Sequence, residues 1–473
     1  MKTYQESTPT ERLAHRKRTE LTEKLKALQQ EFDSWSNRSK AGGDFEKHHT
    51  QLRAINAHLG RWNAQVHSIL SANLGSDTEV FLASIYNAER LMLSEHRIWE
   101  YFRSKFGQRN EKGFRTFLRV ADEFAFACYK PVQERVFPDS LNVKRKEPPL
   151  VFFNGGTSPF SLSRGKSFQP EAVSDEPLNN KEVEIITRLP IPLVGIPWNQ
   201  IKHFPDAVVI GHEVGHIVED DFDLKDKLKA LLAEAITERK AEERHEAWKS
   251  WLGEVFADVY GCLATGPAFA GALIDFLARD YGAISTEKKT DKDWGAYPTI
   301  YLRGRLVLQT LKSIGFQAEA APYERLWKGF QSKMPEEYVG DIPVLVSKLL
   351  DGELFKIDED EVGNRSLRQI FCFSAAQQKQ ACETLYQLKN GFVMGNVDPR
   401  VLFAAIRMAY EDDPEEFIRK TYSDRMLAHF ENDVIERGVR AGEIAVSKEQ
   451  VSQKLAEYER AANEMIDELL KSF

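Results

Sequence analysis

Cysteine is scarce in this chain, with 4 among 473 residues, and no two of them have the C-x-x-C spacing of a metal or redox pair. This scarcity excludes a disulfide-stapled scaffold and favours a reducing compartment. A run of about 18 apolar residues is also missing, so a membrane span is not expected. The segment from Met1 to Glu20 has no apolar core of signal-peptide length, and we therefore expect a cytoplasmic protein.

Long basic blocks are missing as well, and the formal net charge is −8. Nucleic acid is not an expected partner, because binding to phosphates needs clustered lysine and arginine. With 473 residues and 42% hydrophobic content, the chain is long enough for two or three folded units rather than one core.

Histidine is scarce too, yet two of the 11 histidines fall within the run His212-Glu213-Val214-Gly215-His216. On a helix, residues four apart share one face, so both imidazoles can bind one metal ion. In this HExxH pattern Glu213 takes the position of the general base of a zinc hydrolase. The apolar segments on both sides predict a buried helix, and the small Gly215 would let another backbone pack close to it.

A catalytic zinc ion needs a third protein ligand. In one class of HExxH enzymes, the third ligand is a histidine six residues after the second one, and a glycine precedes it. That class is excluded, because this chain has Glu219 at the glycine position and Phe222 at the histidine position. The alternative is Glu254, in a second, otherwise apolar helix where Asp258 lies on the same face. Asp258 would accept the far ring N–H of a ligating histidine and fix the orientation of that ring.

These two segments resemble the gluzincin class of zinc metallopeptidases, of which thermolysin is a member. The second-helix motif of that class has the form Asn-Glu-x-x-Ser-Asp, whereas this chain has Gly253 and Ala257 at the asparagine and serine positions. The resemblance covers residues 205–265. It implies a zincin-like core, one zinc ion per chain, and a peptide or protein as the substrate.

The resemblance also implies that His212, His216 and Glu254 hold the zinc ion, which lowers the pKa of its bound water and polarises the scissile carbonyl. Glu213 would take a proton from that water and pass it to the leaving amine. Gluzincins supply a tyrosine or histidine to the oxyanion. Tyr297, in a loop that enters a helix, is our candidate for this role.

Two arginines follow this loop, and Arg303 and Arg305 would bind either a substrate carboxylate or a buried acid. The Gly-x-Met-Glu-Asn motif of gluzincin aminopeptidases is missing, which favours an endopeptidase or oligopeptidase. Two other functions stay open: a catalytically silent, metallopeptidase-like interaction protein, and a zinc hydrolase of a non-peptide amide. The intact Glu213 argues against the silent relative.

Apolar residues at spacings of three and four predict one helix before Gly42-Gly43 and another after it. We expect the two to form an antiparallel hairpin, either packed within a helical domain or serving as an arm for a homodimer or another partner. Helices are also expected over residues 79–105 and 113–134. The apolar residues that carry the hairpin prediction are Leu21, Leu25, Leu28, Phe32 and Trp35, then Leu52, Ile55, Leu59, Trp62, Val66 and Ile69.

Strand-like runs precede the HExxH helix, at residues 150–153, 183–186 and 192–196. In gluzincins, an edge strand beside that helix binds the substrate as an added strand. The strand at Phe152 or the strand at Ile196 would take this role here. The alternative is that both are internal strands. The charged segment 223–246 is expected to be a solvated helical excursion. Beyond residue 262 we expect almost only helices, at 323–334, 338–350, 375–389, 401–410, 415–437 and 448–470.

The predicted fold is therefore α+β and predominantly α-helical, with a small mixed sheet before the HExxH helix in a zincin-like core. We predict three domains. A helical N-terminal domain spans residues 1–137, the metallopeptidase core spans 138–310, and a helical C-terminal domain over 311–473 completes the cleft.

Overall fold

A computed structural model describes residues 8–72, 78–138, 145–166, 184–185, 188–278, 280–289, 294–330, 332–357, 365–392, 396–434 and 448–472. This part of the chain is predominantly α-helical with small sheets, in agreement with the predicted class. The strands are β1 (Leu150–Asn154), β2 (Phe160–Leu162), β3 (Leu193–Pro197), β4 (Glu353–Phe355) and β5 (Arg365–Ser366). The α-helices are α1 (Pro9–Arg38), α2 (His49–Ser71), α3 (Thr78–Gly107), α4 (Lys112–Val136), α5 (Ile210–Asp221), α6 (Lys225–Arg239), α7 (His245–Thr265), α8 (Pro267–Leu277), α9 (Tyr281–Thr286), α10 (Ile300–Ser313), α11 (Gln317–Trp327), α12 (Glu336–Asp351), α13 (Leu367–Ile370), α14 (Ala375–Asn390), α15 (Pro399–Asp412), α16 (Pro414–Arg419), α17 (Tyr422–His429) and α18 (Lys448–Ser472).

Contacts within the chain divide it into two compact units. The first comprises Met1–Gly107, Arg164–Ile191 and Arg437–Phe473, and the second comprises Gln108–Ser163 and Pro192–Glu436. The division into three domains, which follows composition rather than contacts, stays a prediction.

The first unit contains α1, α2, α3 and α18. Helices α1 and α2 run antiparallel. Arg18 in α1 donates a hydrogen bond of 3.3 Å to the carbonyl of Ala72 just after α2, whereas Ser39 and His49 meet 3.0 Å apart at the other end of the pair. In the link between them Gly42 has a φ of 80°, a left-handed conformation that glycine adopts without strain. The apolar residues predicted for the hairpin are buried, except for the half-buried Ile69.

The main sheet of the second unit has the strand order β1-β3-β2. Strand β1 is parallel to β3, with Phe152 opposite Gly195, and β2 is antiparallel to β3, with Phe160 opposite the same glycine. A Cβ at Gly195 would lie 2.5 Å from the Phe160 ring, so the glycine makes room for that ring. The sheet is mixed, as predicted, and β3 is its buried central strand.

The strand predictions need three corrections. Glu184 and Ile185 are helical rather than extended, and the other two residues of the run 183–186 lie outside the described residues. Ile196 lies on the internal strand β3 and cannot offer an edge. Phe152 does lie on an edge strand, but the edge strand packed against α5 is β2, which was not predicted. Short apolar runs do not distinguish strands from helices, and a three-residue strand has too little periodicity to detect.

The HExxH segment forms α5, and α5 packs closely against α7. A Cβ at Gly215 would lie 2.9 Å from Cβ of Tyr260 and 3.1 Å from Cα of Ala257. One turn earlier, a Cβ at Gly211 would lie 3.0 Å from Cβ of Ala264. Gly215 therefore has the close backbone approach expected of it. This approach brings the candidate ligands on the two helices together.

The charged segment after α5 is not the solvated excursion that was predicted. Helix α6 buries Leu228, Leu231, Leu232, Ala235 and Ile236, and it packs against α7 and α12. The charged residues that dominate its composition leave one apolar stripe. That stripe, rather than the average polarity, decides where the helix lies.

The rest of the second unit is largely helical, as predicted, with three differences. The helix predicted over 323–334 is α11, which begins earlier, at Gln317, and already ends at Trp327. The helix predicted over 415–437 is interrupted where Thr421 has a left-handed φ of 49° between α16 and α17, and its last three residues lie outside the described ones. Strands β4 and β5 form a small antiparallel sheet among the helices. None of the described helices is long and apolar enough to cross a membrane.

Candidate metal centre

Three side chains from α5 and α7 direct their donor atoms towards one another. Nε2 of His212 lies 3.2 Å from Nε2 of His216. One carboxylate oxygen of Glu254 lies 3.4 Å from the His212 nitrogen, and the other lies 3.4 Å from the His216 nitrogen. The structure thus brings together the three residues that the sequence suggests as metal ligands.

The spacing of these atoms fits a zinc ion. Ligand atoms about 2.0–2.1 Å from a tetrahedral centre stand about 3.3–3.4 Å apart. The two histidine nitrogens are 3.2 Å apart, and each lies 3.4 Å from a different oxygen of Glu254. One ligand atom from each of the three residues gives a set within 4.8 Å. Oε2 of Glu254 is buried and accepts no hydrogen bond from the described residues. Because a buried carboxylate needs a cation or a donor, this oxygen also suits a metal ion.

Asp258 and Arg303 hold His212 from the other side. Oδ1 of Asp258, one turn after Glu254 on α7, lies 2.9 Å from Nδ1 of His212, the predicted contact. Arg303 of α10 donates two hydrogen bonds to Asp258, of 2.8 and 2.7 Å. Of its two predicted roles, Arg303 thus binds a buried acid, whereas Arg305 lies 3.9 Å from Glu324. With Nδ1 facing a carboxylate, the Nε2 of His212 is directed at the cluster.

The carboxylates make the cluster a favourable place for positive charge. Burial alone would lower the pKa of His212, but the carboxylates of Asp258 and Glu254 beside its ring raise it to about 10. Burial alone would raise the pKa of Glu254, but the two histidines lower it below the ordinary value. The site therefore stabilises a cation, whether a proton or a metal ion.

The two departures from the gluzincin motif have visible counterparts. A Cβ at Gly253 would lie 3.3 Å from a carboxylate oxygen of Glu219, so the missing side chain leaves room for that acid. Burial raises the pKa of Glu219. Ala257 is buried where α7 meets Gly215. The polar contacts that asparagine and serine would make are replaced by an acid at one position and by close packing at the other.

A cavity of about 250 Å³ adjoins the cluster, and both Glu213 and Tyr297 line it. Glu213 is buried, whereas Tyr297 is half exposed in the loop before α10. The guanidinium of Arg303 lies 5.5 Å from the centre of the Tyr297 ring. The carboxylate of Glu254 raises the pKa of Tyr297, so the phenol keeps its proton at neutral pH and can donate a hydrogen bond.

The sequence patterns do not identify several residues that line the cavity. The ring of Phe269 lies nearly parallel to that of His212, with 12° between the planes and 6.5 Å between the centres. Asp206, Asp275 and Arg407 come from three distant segments without a shared motif. The one available signal was Arg407 within the apolar face of α15, since a buried arginine needs acidic partners.

No protein family, no curated protein and no solved structure matches this chain. The resemblance to gluzincins therefore rests on the residues of α5 and α7 and on their arrangement.

Replacing Asp258 with asparagine should lower the free energy of unfolding by about 3–5 kcal/mol at pH 7, because the buried Arg303 loses its anion. Burial alone would raise the pKa of Asp258, but Arg303 and His212 lower it. The contribution of Asp258 to the free energy of unfolding is therefore fully present above the ordinary carboxyl pKa of about 4. It is lost as the pH falls through the lowered pKa of this residue in the folded protein.

Urea unfolding with a chelator present, followed from pH 7 downwards, measures this difference between wild type and Asp258→Asn. The control is Asp226→Asn on α6, whose side chain is 92% exposed, and it should stay within about 0.5 kcal/mol of wild type. Equal stability of Asp258→Asn and wild type at pH 7 would contradict the role given to this carboxylate.

Proposed function

We propose that this chain is a zinc-dependent metallopeptidase of the gluzincin type that acts as an endopeptidase or oligopeptidase. The observation that carries the proposal is the convergence of His212, His216 and Glu254, with Glu213 lining the adjoining cavity. The edge strand β2 packs against α5, and the residues just before it also line the cavity. This favours a peptide over a small amide, because an extended peptide can add to a free edge as another strand.

A bound zinc ion would supply a Lewis acid that polarises the scissile carbonyl and makes water a stronger acid. Glu213 accepts a proton from the attacking water and passes it to the leaving nitrogen. Tyr297 donates a hydrogen bond to the oxygen that becomes negative as the carbonyl is attacked. Asp258 keeps the His212 ring in place, and Arg303 keeps Asp258 ionised and fixed.

Glu213→Gln tests the general base. We expect wild type to cleave members of a fluorogenic peptide library and the variant to be slower by about 10²–10⁴-fold, because glutamine cannot accept the proton. Zinc content should stay the same, since Glu213 is not a proposed ligand. Glu246→Gln, on the exposed start of α7, controls for loss of a charge and should cleave like wild type. Turnover retained by Glu213→Gln would remove this residue from the mechanism, and no cleavage by wild type would contradict a peptidase.

Tyr297→Phe tests the oxyanion donor. Loss of one such donor should lower kcat by about 10²–10³-fold while KM changes little, because the hydrogen bond forms mainly in the transition state. Tyr281→Phe is the matched control, since Tyr281 is 58% exposed and Tyr297 is 52% exposed, and it should leave kcat unchanged. An unchanged kcat in Tyr297→Phe would show that another group supplies the donor.

A further inference from the structure

One part of the cavity carries charged groups that the proposed mechanism does not use. Arg407 of α15 donates hydrogen bonds to three acids: 3.1 Å to Asp206, 2.6 Å to Glu411, and a short one to Asp275. Three carboxylates thus share one guanidinium. Burial raises the pKa of Glu411, but Asp206 and Asp275 alone already outnumber Arg407 and leave a surplus of negative charge.

The negative groups, rather than the arginine, are accessible to a ligand. The side chain of Arg407 is 1% exposed, whereas those of Asp206 and Asp275 are 35% and 59% exposed. All three line the cavity. The guanidinium therefore fixes two carboxylates at the cavity wall without presenting its own charge there.

One further residue of the wall suits a ligand that donates hydrogen bonds, and another positions Asp206. Oε1 of Gln200 is buried and accepts no hydrogen bond from any residue that the structure describes. A buried acceptor without a donor is costly, so a donor from a ligand would stabilise it. Nε2 of His203 lies 3.3 Å from Asp206 and helps to hold that carboxylate at the wall.

The rest of this wall is apolar. It is formed by one residue before α5 and by one face of α8: Val209, Phe269, Ala272, Leu273 and Phe276. An aliphatic stem with a cation at its end matches such a wall, because the stem packs on apolar surface while the head reaches the carboxylates. A short ammonium group without a stem would leave the apolar wall uncovered.

We propose that this part of the cavity is a substrate subsite that takes a lysine or arginine side chain close to the cleaved bond. The subsite rests on the proposed peptidase function. Asp206 and Asp275 bind the cationic head, Gln200 accepts one of its hydrogen bonds, and the face of α8 contacts the stem.

Peptide binding to the whole 473-residue chain carrying Glu213→Gln, in zinc-containing buffer, tests the subsite without requiring turnover. The probes are capped peptides acetyl-Ala-Ala-X-Ala-Ala-amide, in which X is lysine, arginine, norleucine or glutamate, titrated by calorimetry. The caps remove terminal charges, so only X carries a cation. We expect the lysine and arginine peptides to bind about tenfold more tightly than the norleucine peptide.

Asp275→Asn and Asp206→Asn are each introduced into the same protein. Each should reduce the ratio of lysine-peptide to norleucine-peptide affinity towards one. The exposed Asp226→Asn on α6 is the charge-matched control and should keep it. The subsite would be contradicted if the lysine and norleucine peptides bound equally, if neither bound, or if the glutamate peptide bound most tightly. An affinity ratio that stayed unchanged in both cavity variants would contradict it as well. The same peptides offered to wild type separate the two proposals: lysine preference in binding with no cleavage would contradict the peptidase alone.

Discussion

The close contact between α5 and α7 is the constraint on which the site depends. Gly211 and Gly215 have no Cβ, and one at either position would lie 2.9–3.1 Å from atoms of α7. The helices can therefore approach until Glu254 of one lies 3.4 Å from both histidines of the other. Any larger side chain at these glycines would push the helices apart and widen the spacing that fits a metal ion.

A second requirement is electrostatic, and α10 meets it. Its Arg303 pairs with Asp258, which is fully buried and holds His212. The same helix follows the loop that places Tyr297 at the cavity. One element thus fixes the orientation of a candidate ligand and positions a candidate donor for the oxyanion. The geometry of the metal cluster and that of the cavity wall are therefore coupled through α10.

The candidate ligands could be found from the sequence because their chemistry is local. The two histidines are four residues apart, and the two acids in the apolar segment have the same spacing. The period of an α-helix alone therefore places each pair on one face. The burial of helix α6 does not follow from its composition, because its many charged residues conceal an apolar stripe. Asp206, Asp275 and Arg407 could not be predicted as neighbours, since they lie on different segments and meet only through the tertiary fold.

The central claim is that His212, His216 and Glu254 form one three-ligand zinc site. The most direct measurement is elemental analysis of the purified protein after reconstitution with zinc, with Glu254→Ala prepared in parallel. We expect about one zinc ion per chain in wild type, because three protein ligands make a complete catalytic site, and its loss in the variant. No zinc in wild type, or the same content in both proteins, would contradict the account.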